Sequence, residues 1–293
     1  MQILSLIAGI WLLAVVFRPV AALRQTEMRS AVLWARGFSL VMLAACVVQL
    51  FAGASEFLQT MLFWSTAVLG LTPFVDVLGA RRPQHQAWPL FVVGPMVLVF
   101  HWPAVAQLAA SGTQAAVEIP GPFAIGYGLV VLMGCGNYFG TANTMSAILA
   151  GTGLLLMQLP LTTTTAVGSA WHLMGPILLA LAAALATPPS SEADSTNGGA
   201  NQLWTDFCDL FGMVWAKRVM DRVNQFAERE SWSVRLSLFG FVASGDRQTE
   251  TVSPDVRATI VMCWVLRRFL DREFMSRYVP SEQIRDSLTQ ENG

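Results

Sequence analysis

Long apolar runs fill the first two thirds of the chain, separated by short connectors that carry the polar residues, arginines and prolines. Seven of these runs predict helices: 1–17, 37–53, 57–79, 88–108, 123–139, 145–160 and 166–187. An uncharged run of about twenty residues crosses a hydrocarbon core of roughly 30 Å, because a helix rises 1.5 Å per residue. The last run, AVGSAWHLMGPILLALAAALAT, reaches about 33 Å on that count and closes the membrane region. The first, second, fifth and sixth runs sit near the lower length limit, and a single re-entrant segment over 123–139 and 145–160 is the alternative topology.

Beyond residue 187 the pattern changes. The stretch 188–202, PPSSEADSTNGGANQ, has no apolar anchor and reads as a flexible linker. From 203 to 230, Trp204, Phe207, Phe211, Val214, Val219, Val223 and Phe226 recur at helical spacing between charged residues, which predicts an amphipathic helix. Trp232, Val234, Leu236 and Leu238 then alternate with polar residues as in a strand, and Ser244-Gly245-Asp246 supplies a turn. Ser253-Pro254-Asp255 is a helix start, and the helix it opens is expected to run to about Val279 before a polar tail. The fold class expected is therefore mainly α. A polytopic membrane helix bundle of about seven transmembrane helices occupies 1–187, the linker 188–202, and a small cytoplasmic α+β domain with a polar tail 203–293.

Composition sharpens the division. The chain is 54% hydrophobic and 13% charged, with a mean hydropathy of +0.51, which places it in the membrane class. Between Arg82 and Glu192 the only charged residue is Glu118, whereas 201–293 carries 12 Lys/Arg and 13 Asp/Glu, so the change in charge density marks the boundary. Arg18, Arg24, Arg29 and Arg36 fall between the first and second runs, and Arg81 and Arg82 between the third and fourth. By the positive-inside rule these loops face the cytoplasm, which puts the amino terminus outside, the carboxy-terminal domain inside, and the protein in the cell (inner) membrane. The first run lacks the basic start of a signal peptide and is read as a retained span. A net charge of −1 offers no basic face for nucleic acid. Cys46, Cys135, Cys208 and Cys263 show no metal-ligand or redox spacing and read as buried free thiols.

Candidate chemistry is confined to two histidines. The fourth run places Gly94-Pro95 on the cytoplasmic side of His101, with Trp102 beside it; the seventh mirrors this with Trp171-His172 and Gly175-Pro176. The topology sets both imidazoles at similar depth in the outer half of the bilayer, where a facing pair ligates a haem iron or bonds a quinone. The competing reading is two members of an outer aromatic belt. Asp76 is expected to pair with Arg81 or Arg82 at the inner interface, and Gln49, Asn137 and Gln158 to bond between helices. Gly136…Gly140 and Ala147…Gly151 have the small-residue spacing of close helix packing. Arg267 to Arg277, with Asp271 and Glu273, reads as a face of local ion pairs, or as a contact for anionic lipid heads. No phosphate loop, nucleophile elbow or H-E-x-x-H stands in the chain, and its sole lysine, Lys217, lies on a charged helix face beside Asp221. The function expected is a non-enzymatic accessory or assembly subunit of a membrane complex, with the lipid bilayer and a membrane protein as partners. A haem- or quinone-binding redox subunit using His101 and His172 is the second reading, and a small-solute or lipid carrier the third.

Overall fold

The computed structural model describes residues 2–18, 21–51, 53–113, 116–158, 173–187, 199–244 and 251–284. They divide into two units, the first comprising Met1–Pro19, Ser30–Gly79 and His85–Ala186, the second Val20–Arg29, Ala80–Gln84 and Thr187–Gly293.

The first unit is helical throughout. It contains α1 (Gln2–Val16), α3 (Arg29–Val48, whose first residue belongs to the second unit), α4 (Glu56–Val77) and α5 (Gly94–Ser111), with α2 (Ala21–Arg24) belonging to the second unit. After these come α6 (Gly121–Gly136), α7 (Thr144–Gln158) and α8 (Met174–Leu185). Three helical stretches, Arg29–Val48, Glu56–Val77 and Pro89–Ala110, are long and apolar enough to cross a membrane. The expectation of about seven such helices is corrected accordingly. The other four predicted segments form helices of 15, 16, 15 and 12 described residues, with rises of about 18–24 Å that fall short of the core thickness. For the last of them, residues 166–172 lie outside the described residues.

Local chemistry explains the boundaries. The second helix starts at Arg29 rather than at 37, because Arg36 does not interrupt it: its guanidinium lies 5.2 Å over the Phe17 ring. Pro73 inside α4 has no amide to offer the Leu69 carbonyl, and the Thr72 hydroxyl donates to that oxygen instead at 2.6 Å. Ahead of Pro95 the chain takes a π-helical turn, Pro89–Val93, closed by the Gly94 amide on the Pro89 carbonyl. The core gathers on α4: Trp64 donates from Nε1 to the Phe100 carbonyl at 2.9 Å, and the Tyr127 hydroxyl lies 3.2 and 3.3 Å from the carbonyls of Ala67 and Leu154. Around this core the outer faces stay apolar, as at Phe91 and Leu98, each 73% exposed, the surface a lipid-facing helix presents.

Glycine sets the closest approaches. A methyl group added at Gly153 of α7 would lie 2.9 Å from the Gly175 carbonyl oxygen of α8, and one at Gly175 equally close to the Gly153 oxygen. Gly151 likewise abuts Cys135 of α6, as its predicted packing role requires. Gly136 and Gly140 do not: nothing lies within 4 Å of a methyl group at either, and Gly140 serves the turn after α6 with φ of +87°.

The second unit is built on α9 (Gly199–Arg229), an antiparallel hairpin of β1 (Val234–Ser237) and β2 (Gly240–Ala243), and the helices α10 (Val256–Leu266) and α11 (Arg272–Met275). Of the predicted linker, residues 199–202 are helical, and residues 188–198 lie outside the described residues. Gly212, with φ of 75°, interrupts α9. The strand β2 was not expected. Its outer edge is closed by α9 and the chain beyond: Phe241 donates to Asn201 Oδ1 at 2.9 Å and accepts from the Val252 amide at 2.8 Å. Asn224 completes the other edge by bonding both backbone groups of Leu236, at 2.7 and 2.9 Å. Asp255 caps α10, accepting from the Arg257 amide at 2.8 Å.

The helix expected to reach Val279 breaks after Leu266. Phe269 turns inward there and meets Phe207, Phe211 and Trp215 at ring separations of 5.3, 5.4 and 4.9 Å. Trp204, Phe211 and Phe269 are all buried in this aromatic core.

Candidate functional site

His101 lies on α5 with both ring nitrogens engaged: Nδ1 is 2.8 Å from the Val97 carbonyl one turn back, and Nε2 is 3.1 Å from the Ser65 hydroxyl of α4. A carbonyl only accepts, so Nδ1 carries a proton and donates to Val97, while Nε2 shares a hydrogen bond with the Ser65 hydroxyl. That is the nitrogen a metal would need. Trp102 beside it is 64% exposed, consistent with an interfacial tryptophan. His172 lies outside the described residues. Within the first unit, α5 packs on α4, whereas the described part of the seventh run, α8, packs on α7 and α1. Among the described residues, no group of three or more His, Cys, Asp or Glu side chains is placed to hold a metal ion.

A polar constellation that was not foreseen lies in the second unit. Where α10 ends, the backbone of 267–271 leaves the helix, and three of its groups pair with residues from two distant loops. The Glu27 amide donates to the Phe269 carbonyl at 2.9 Å, the Asp271 amide to the Gln25 carbonyl at 2.8 Å, and the Arg82 amide to the Arg268 carbonyl at 2.9 Å. Thr26 and Leu270 form an antiparallel β-bridge at the centre. The Arg82 guanidinium then closes the joint, with Nε on the Glu27 carboxylate and Nη2 on the Asp271 carboxylate. Its fork supplies a separate donor to each acid, a geometry lysine lacks. Arg277 donates to the Gln25 side chain, and Arg29 lies 3.9 Å from Asp271.

This arrangement revises two expectations. Arg82 pairs with Glu27 and Asp271 rather than with Asp76, which is 3% exposed in the last turn of α4 beside the Ser30 hydroxyl. Asp271, expected in a local helical face, is recruited across the sequence because the helix ends before it. The one signal in the sequence was Glu27, a single acid within a loop otherwise basic.

Two further expectations find their partners. Lys217 pairs with Asp221 at 3.0 Å on the exposed face of α9, and Gln49 donates to Gln59 of α4 at 3.3 Å. Deeper in the second unit, Asp206 accepts from the buried Tyr278 hydroxyl and from Gln202 Nε2, tying α9 to the chain after α11.

Compared with known proteins, the chain matches no family model, no curated sequence and no solved structure.

Proposed function

We propose that this chain is a non-enzymatic accessory or assembly subunit of a membrane complex, an integral protein of the inner membrane whose second unit docks a membrane-protein partner on the cytoplasmic side. One observation carries the reading: the segments 20–29 and 80–84, which connect apolar helices, are bonded through backbone and side chains into the same unit as 187–284. In a membrane protein, segments of one compact unit lie on one side, so an even number of crossings separates them. The loop arginines give that side its identity by the positive-inside rule. Seven crossings satisfy this parity, with the four shorter helices completing the bundle. A re-entrant α6–α7 hairpin satisfies it too.

The hairpin turn supports docking. Leu238 and Phe239 are 41% and 66% exposed between β1 and β2, an adjacent apolar pair at the tip of the hairpin. Native membranes solubilised in mild detergent and run on a native gel test the reading. The chain is expected in an assembly well above its own 31.9 kDa plus a micelle, and Phe239→Ser is expected to release it. A wild-type chain that runs wholly as a monomer contradicts the docking role. The redox reading gains no comparable support, since both nitrogens of His101 already have partners.

A further inference from the structure

Among the described residues, several guanidiniums of the second unit stand outside its ion pairs, and three of them lie near one another. Arg82 is occupied by Glu27 and Asp271, Arg29 lies against Asp271 and the Arg24 carbonyl, and Lys217 pairs with Asp221. Arg81, Arg218 and Arg268 have no carboxylate partner among the described residues. They are nevertheless close together. The Arg82 amide bonded to the Arg268 carbonyl brings the peptide of Arg81 beside Arg268. The Arg218 guanidinium lies 4.8 Å over Trp215, whose ring meets that of Phe269, the residue after Arg268, at 4.9 Å. Arg81 is half-buried, and Arg218 and Arg268 are exposed. Burial first, then the charges of Arg268 and Arg218, pull the Arg81 guanidinium below its ordinary value.

Three like charges held this way repel one another until an anion sits among them, and guanidiniums suit the oxygens of a phosphate. The position of Arg81 selects the source. It lies four positions beyond Val77, the end of the 22-residue helix α4, so a chain reach of at most about 14 Å holds it at headgroup level if α4 spans the bilayer. We propose that Arg81, Arg218 and Arg268 bind the phosphate of an anionic phospholipid headgroup in the cytoplasmic leaflet. This site rests on the membrane reading above and extends it from bulk lipid contact to a defined headgroup site.

The full chain in neutral detergent micelles, examined by native mass spectrometry with added phosphatidylglycerol or phosphatidylcholine, tests the site. Phosphatidylglycerol is expected to be retained preferentially. Arg268→Gln is expected to weaken that retention about fivefold and Arg81→Gln/Arg218→Gln/Arg268→Gln about a hundredfold, on the scale of a single basic residue near an anionic surface. Arg235→Gln, an exposed arginine on β1, is the control and is expected to change nothing. Thermal melting in lipid-free micelles checks folding, and Arg268→Gln, which removes one exposed charge, is expected to melt no lower than the parent. Equal retention of the two lipids, or a preference unchanged in the triple variant, overturns the site. Displacement of the lipid by millimolar inorganic phosphate also overturns it, in favour of a free-phosphate site. Recovery of the chain in the soluble fraction after an alkaline carbonate wash defeats the membrane reading itself, whereas a chain that stays with the membrane but shows no lipid preference defeats only the headgroup site.

Discussion

Cys208 and Cys263 show how burial sets the chemistry of single residues in the second unit. Loss of hydration pushes both thiols up to about 12, with the charge of Asp209 adding to the effect on Cys208. An ordinary thiol releases its proton near 9. Below that pH both folded and unfolded chains keep the proton, and the full stabilisation is present. Between about 9 and 12 the unfolded chain loses its protons while the folded chain holds them, so stability falls as pH rises through this window. The Tyr278 hydroxyl, desolvated and bonded to Asp206, is raised too and adds to the alkaline loss. Chemical denaturation at stepped pH is expected to show this decline, and Cys208→Ala/Cys263→Ala to flatten it. Rapid alkylation of either thiol in the native protein at pH 8 would contradict the burial. Both cysteines were read as buried free thiols because no metal-ligand or redox spacing links them to another cysteine. Glu27 and Asp271 were not legible as partners of Arg82, because nothing local to any of the three points to the others.

At the scale of elements, length and periodicity carried most of the reading, since an apolar run of helical length has few alternatives in lipid. What they missed has a tertiary cause in each case. The start of α3 was hidden because Arg36 packs its charge over Phe17. The strand β2 depends on edge partners from α9 and Val252, and the end of α10 depends on Phe269 filling a core made by α9. Small-residue spacing likewise identified the kind of contact but not every place. Gly151 packs, Gly136 does not, and the tightest backbone approach is between Gly153 and Gly175. Gly153→Ala is therefore expected to destabilise the bundle by about 1–3 kcal/mol in detergent melts, as overpacking does. Gly136→Ala, helical and in open space, is expected to be neutral or stabilising by up to about 1 kcal/mol. Equal effects at the two positions would contradict the α7–α8 contact.

For the whole molecule, the consequential feature is that the second unit is discontinuous in sequence. Residues 25–27, 82 and 267–271 meet in one joint, although two long apolar stretches of chain lie between them. The parity of arginine-bearing loops led to the expectation of a common side but not of their union, because charge distribution bears on sidedness and carries no information on contact. The central claim, that these loops and the carboxy-terminal region form one unit on one side of the membrane, is open to a direct measurement at its middle. Thr26 and Leu270 are bridged as antiparallel partners, 2% and 1% exposed, and such pairs hold their Cα atoms about 4.5–5.5 Å apart, within disulfide range. The variant Thr26→Cys/Leu270→Cys, in a background whose native cysteines are alanine, is to be oxidised in intact membranes and analysed by non-reducing gel. A near-complete intramolecular cross-link, absent from either single variant and reversed by reductant, is the expected result. A protein that inserts normally and yields no cross-link would contradict the composite unit and the topology built on it.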